Sequence, residues 1–136
     1  MKKKGFGAGR YNGFGGKVNP GEEVKAAALR EMHEEASIVI HPNDAQKVAT
    51  LNFSFSKQPD FNQQVHVFVS RIWSGVPIES DEMKPEWFST KDIPFHQMWV
   101  DDKHWVPLVL EGHKLEASFT FGETDNSILD MDIKKL

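Results

Sequence analysis

The chain has 136 residues, a formal net charge of −4 and no cysteine. That length predicts one domain with a single core. An acidic chain is not expected to bind nucleic acid generally, and the lack of cysteine excludes disulfide frameworks, thiolate nucleophiles and cysteine-based zinc sites. No apolar run reaches the roughly eighteen residues of a membrane span, and "GFGAGRYNGFGG" follows the basic "MKKK" where a signal peptide needs an apolar stretch. A cytoplasmic protein is expected, with nuclear or mitochondrial pools also within reach.

Charge is unevenly spread. Lys2, Lys3, Lys4, Arg10 and Lys17 come before any acid, and then Glu22, Glu23, Glu31, Glu34 and Glu35 follow within a short stretch. A basic segment beside an acidic one suits an anionic ligand that arrives with a metal cation; a solvated surface of uneven charge is the plain alternative. In chain order, residues 5–16 hold six of the ten glycines and read as loop, closed by Pro20 and Gly21. A helix is predicted over 23–36, with Val24, Ala28 and Met32 on its buried stripe. "TLNFSFS" alternates as a half-buried strand, "VHVFVSRIW" reads as a second, and "EWFS" as a short third. "DDKHWVPLVLEG" has an Asp start and a Gly stop, so it reads as a second helix containing Pro107. The tail reads as a hairpin around "GETDN". The predicted class is α+β.

The first helix sets a physical problem. Residues three and four apart share a helix face, so Glu31 neighbours both Glu34 and Glu35, at roughly 0.2–0.5 kcal/mol for each like-charge pair. The helix dipole also disfavours anions at this end. A hard divalent cation reverses the sign, because Mg²⁺ and Mn²⁺ take carboxylate and phosphate oxygens. Arg30, four before Glu34, can pair with one carboxylate and orient it. Two other phosphate loops do not fit. A P-loop requires Gly at Tyr11 and Ser or Thr at Val18, and the dinucleotide fingerprint G-x-G-x-x-G is absent. His33-Glu34 does not begin H-E-x-x-H, and His33 reads as a helix surface residue.

Gly16, Glu22, Arg30, Glu31, Met32, Glu34, Glu35 and Ile38 fall on the pattern G-x5-E-x7-R-E-U-x-E-E-x-G-U, eight of its nine defined positions. That spacing resembles the Nudix box. The departure is Ser37, where the pattern has Gly: a left-handed residue is expected there, at roughly 1 kcal/mol for Ser. "KKKGFGAGRYNGFGGKV", "ESDEMKPEWF", "MWVDDKHWVPL" and "SILDMDI" extend the resemblance to the branch of mammalian-type MutT homologues, which hydrolyse oxidised purine nucleoside triphosphates.

The resemblance implies a Nudix fold, a mixed β-sheet between helices. It also implies Mg²⁺-dependent, or Mn²⁺-dependent, hydrolysis of 8-oxo-dGTP and oxidised dATP to monophosphate and pyrophosphate. Glu31, Glu34, Glu35 and Glu82 would hold the metal with the Gly15 carbonyl, Arg30 would support them, and one glutamate would take the proton from water. Lys2 and Lys17 would meet phosphate. Phe6, Asn12, Phe14, Gly16, Phe53, Met83, Trp99, Asp101, Asp102 and Trp105 would contact the nucleotide. As isolated residues, Phe53, Trp99 and Trp105 read as ordinary core, and either aspartate as a helix N-cap. In the "MWVDD" context the aspartates are read instead as recognising purine tautomers, one of them protonated.

Members of that branch start with a strand before "KKKGFGAG", so an N-terminally truncated domain is expected, a monomer unless an uncovered sheet edge pairs with another chain. Two other readings accompany the hydrolase: a truncated domain that binds nucleotide without turnover, and a single-strand nucleic-acid module built on "MKKKGFGAGR". The net acidity and the glutamate cluster oppose the last.

Overall fold

The computed structural model describes residues 1–124 and 126–136. The chain divides into two compact units, Met1–Gln46 with Phe68–Gln97, and Lys47–Val67 with Met98–Leu136.

In the first unit the acidic segment forms helix α1, Val24–Ala36, with Glu23 as its N-cap residue. The stripe Val24–Ala28–Met32 is only half-buried, whereas the residues α1 buries fully are Ala27, Glu35 and Ala36. The side facing inward therefore includes a carboxylate. Ser37 ends the helix at φ 62 and ψ 26, left-handed, with its N–H donated to the His33 carbonyl. The geometry is the one the sequence implied, held by a residue with a Cβ. Ser37→Gly is expected to add roughly 1 kcal/mol of stability without altering turnover. Urea denaturation measures it, and a lower midpoint would contradict it. Val39 and Ser74 form an antiparallel bridge beyond this turn.

The sheet carries most of the second unit. Strands β1 (Gln46–Phe55), β2 (Gln63–Val69), β3 (Leu115–Phe121) and β4 (Ile128–Lys135) lie in the order β2-β1-β3-β4. Strand β1 runs parallel to β3, with Phe53 opposite Phe119 and Phe55 opposite Phe121. Strand β4 is antiparallel to β3, with an irregularity at Thr120/Phe121. Alternation along β3 buries Leu115, Ala117, Phe119 and Phe121 on one face. Each such large side chain contributes about 1.5–3 kcal/mol. The tail thus forms the expected strand pair, while Asp125 in "GETDN" lies outside the described residues.

Helix α2, Asp102–Leu110, tolerates Pro107, and Gly112 stops it at φ 100. One expectation fails: residues 86–89 belong to no strand. Side chains anchor this segment in place of a backbone ladder. Glu86 accepts a hydrogen bond from the Tyr11 hydroxyl, Phe88 packs edge-on against the Tyr11 ring, and Trp87, 69% exposed, leans on Trp73. Among the described residues no helix is long and apolar enough to cross a membrane.

Candidate active site

Arg30 answers most of the repulsion along α1. Its Nε and Nη2 donate to the two Glu22 oxygens at 2.9 and 3.2 Å, and its Nη1 donates to Glu31 at 2.9 Å and Glu34 at 3.1 Å. Nη2 also reaches the Lys17 carbonyl at 3.0 Å. The paired fork geometry holds Glu22 in one orientation, and the Arg30 guanidinium keeps its carboxyl below the usual range. Sequence reasoning assigned Arg30 one carboxylate; the structure gives it three. Glu22, eight residues before Arg30, lies beyond the reach of the i+3 and i+4 spacing.

Glu35 is the carboxylate left over. It is 6% exposed. The Gly15 N–H donates to its Oε1 at 3.2 Å. Burial pushes its carboxyl up to about 7, the Gly15 N–H opposes that shift, and the Glu31 and Glu82 carboxylates add to it. Three acids therefore feel one another without an equal positive charge. Among the described residues no three His, Asp or Glu side chains converge as a formed metal centre. Arg30 draws Glu31 and Glu34 toward itself, and Glu34 and Glu82 are exposed. The donor set nevertheless suits a hard divalent cation, since carboxylate oxygens are the ligands Mg²⁺ prefers and Glu35 is a buried acid whose neighbours Glu31 and Glu82 are acids too.

Gly16 stands against Glu31. A Cβ at this position would lie 2.5 and 2.7 Å from the two Glu31 carboxylate oxygens. Glu31 is the flexible partner, so Gly16→Ala is expected to move the carboxylate and leave the fold intact. Turnover should fall on the order of ten- to a hundredfold from misplacement alone, with an unchanged melting temperature. Wild-type turnover would contradict this.

The remaining expected residues are distributed as follows. In the first unit, Lys2 uses one ammonium donor to close its own loop, on the Phe6 carbonyl at 2.6 Å. Asn12 is exposed and accepts from the Gly13 N–H at 3.0 Å, Lys17 is exposed, and Met83 is buried. Phe14 lines an apolar cavity of about 310 Å³ with Met32, Ile38, Trp73 and Trp87.

The second unit gathers the expected base-recognition residues of α2 and the sheet. Asp101 and Asp102 are 2% and 4% exposed. Asp101 stands at the N-cap of α2 yet its side chain makes no capping bond, which removes the capping explanation for it. It accepts instead from Trp105 Nε1 at 2.8 Å. Asp102 Oδ2 is buried with no hydrogen-bond partner among the described residues. Burial raises both carboxyls. Asp102 is pushed to about 8, with the Asp101 charge adding to the burial, while the Trp105 N–H works against the rise at Asp101. Both shifts favour the neutral acid, the larger one at Asp102. Trp99 is half-buried, its ring 5.8 Å from Phe121 and 6.2 Å from Phe55, both edge-on. Phe53 stacks on Phe119 at 5.7 Å and on Phe121 at 6.0 Å. Phe119 and Phe121 were not anticipated; the matching F-x-F pairs in β1 and β3 were their one trace in the sequence.

The box geometry on α1 agrees with a family comparison, in which residues 1–109 match the NUDIX domain. The chain belongs to the NUDIX family. It is 41% identical over 136 residues to the mouse oxidized purine nucleoside triphosphate hydrolase, covering all of this chain and 85% of that protein. The zebrafish protein of the same name is 44% identical over 121 residues, 89% of this chain and 76% of its own length. A MutT protein from Bacillus halodurans superposes with a TM-score of 0.78 at 21% identity, covering 89% of this chain and 80% of that one. That likeness supports the α+β NUDIX fold. Membership also accounts for the acidic helix, because NUDIX hydrolases generally work with a divalent metal ion.

Proposed function

We propose that this NUDIX chain hydrolyses oxidised purine nucleoside triphosphates, such as 8-oxo-dGTP and oxidised dATP, to the monophosphate and pyrophosphate, with Mg²⁺ or Mn²⁺. The observation that carries the reading is Glu35, a buried carboxylate that accepts from the Gly15 N–H and whose carboxyl is raised by burial and by Glu31 and Glu82. Glu31, Glu34, Glu35 and Glu82, with the Gly15 carbonyl, would hold the metal, which when bound supplies charge stabilisation to the phosphate oxygens and polarises phosphorus.

The chain's own groups do the rest. Arg30 pairs with Glu31 and Glu34, so it sets the position from which those carboxylates turn toward the metal. A glutamate of this set takes the proton from the attacking water, and its carboxyl rises toward neutrality because it is buried among like charges, as Glu35 is. Lys17, exposed beside Gly16, supplies positive charge for the triphosphate. Water attack, P–O cleavage and proton transfer to the carboxylate give nucleoside monophosphate and pyrophosphate.

Base selection falls to Asp101, Asp102, Phe53 and Trp99. A neutral Asp102 donates where a carboxyl oxygen of Asp101 accepts, and a purine edge offers both kinds of partner. Phe53 and Trp99 supply aromatic surface for the rings. The names of the mouse and zebrafish relatives support the same substrate class. Chromatography of the products of 8-oxo-dGTP tests the reaction type. Monophosphate with pyrophosphate is expected; diphosphate with orthophosphate would contradict it.

A further inference from the structure

We propose that Tyr11 is a positioning residue for this reaction: its hydroxyl, bonded to Glu86, fixes the loop that carries Glu82 to the strap that also meets Glu31 and Glu35. The inference rests on the reading of Glu82 given above.

Residues 79–86 form no regular element; Ser80 and Met83 close a turn around Glu82, the Ser80 N–H on the Met83 carbonyl at 2.9 Å and the Met83 N–H on the Ser80 hydroxyl at 3.2 Å, and the place of that turn is set from outside. The N-terminal strap sets it. The Lys3 N–H donates to the Glu82 carbonyl at 2.8 Å and the Lys84 N–H to the Met1 carbonyl at 2.8 Å, and Lys2 bridges Met83. Side chains then clamp both ends of the loop. Lys3 pairs with Glu79 and donates to the Ser80 carbonyl at 3.0 Å. Tyr11 donates to Glu86 at the other end. A hydroxyl bond to a carboxylate is charge-assisted, roughly twice as strong as a neutral one.

Tyr11 is itself held without its hydroxyl. Its N–H donates to the Gln97 carbonyl at 2.8 Å, and its ring meets Phe88 edge-on at 5.0 Å. The strap is closed on itself by Lys2 N–H to the Arg10 carbonyl at 3.0 Å and Gly9 N–H to the Lys2 carbonyl at 2.9 Å. Four residues after Tyr11 the same strap reaches Gly15, which donates to Glu35, and then Gly16, packed on Glu31. One short run of backbone thus connects the Glu82 loop to the α1 carboxylates. Tyr11 is the side chain that fastens it at Glu86.

Tyr11→Phe keeps the ring and removes the clamp. It is expected to lower kcat roughly three- to tenfold and to raise the Mg²⁺ concentration for half-activation by a similar factor. KM for 8-oxo-dGTP and the melting temperature should be unchanged. In the metal-free protein the Lys3 and Lys84 amides should exchange faster with solvent. Glu86→Gln still accepts the phenol proton and should stay near wild type. Glu86→Val should match Tyr11→Phe, and the double variant should be no worse than either single one.

Unchanged kcat and amide exchange in Tyr11→Phe would overturn the proposal, as would additive losses in the double variant or a loss that tracks a falling melting temperature. Glu82→Gln, measured alongside, separates the two layers. If Glu82→Gln is fully active, the reading of Glu82 fails and takes the proposal with it. If Glu82→Gln is inactive and Tyr11→Phe is normal, the positioning role alone fails.

Discussion

Glu35→Gln is expected to reduce turnover by about a thousandfold, equivalent to ~4 kcal/mol of transition-state stabilisation, while making the metal-free protein more stable. The two effects have one cause. Glu35 is buried near Glu31 and Glu82, and its carboxyl is raised to about 7 by burial first and by those neighbours second. An unfolded glutamate titrates near ~4.3. Between that value and about 7 the folded protein binds the proton more tightly than the unfolded chain, so stability falls as pH rises through this window and levels off above it. The amide has no such titration. Metal-free Glu35→Gln should therefore melt higher than wild type at pH 7.5, with a flatter pH dependence between 4 and 7. Mg²⁺ should raise the melting temperature of the wild type and leave the variant where it was. A variant that loses turnover yet keeps the full Mg²⁺ shift would place the metal elsewhere.

Asp102→Asn should separate base selection from chemistry. Asp102 is buried, its Oδ2 has no partner among the described residues, and its carboxyl is pushed up to about 8 beside Asp101. The protonated acid offers one O–H donor at neutral pH, whereas the amide carries two N–H donors and brings a second N–H into a buried site that has no acceptor for it. Leaving one buried polar partner unsatisfied costs about 1–3 kcal/mol. The preference for 8-oxo-dGTP over dGTP should therefore drop roughly ten- to a hundredfold, with the Mg²⁺ dependence unchanged. The wild type should lose this preference as pH rises through about 8, because the neutral acid is the competent form. The Asn variant should lack that alkaline limb. Unchanged selectivity across a substrate panel would remove Asp102 from base recognition.

What was legible in the sequence was local. Helix α1 could be placed within a residue because Pro20 and Gly21 precede it and Ser37 follows it, and the left-handed Ser37 was implied by the box. The crowding of Glu31, Glu34 and Glu35 followed from helical periodicity alone. The features that escaped depend on partners distant in the chain. The Arg30–Glu22 pair needs the loop before α1 to fold back along it. The aromatic stack needs β1 and β3 paired in parallel, with Phe53 opposite Phe119, across an intervening helix. Residues 86–89 have strand-like composition, yet their fixed points are the Tyr11 and Trp73 side chains. Alternation gives the faces of a strand without naming its neighbour.

Hydrolysis by this chain should depend on a divalent metal and favour oxidised purines. Pyrophosphate release from 8-oxo-dGTP and from dGTP, each with Mg²⁺ and with EDTA, tests it most directly. Release should require Mg²⁺, favour the oxidised base and collapse in Glu35→Gln. No release from protein that circular dichroism shows to be folded would contradict it, and would leave a domain that binds nucleotide without turning it over.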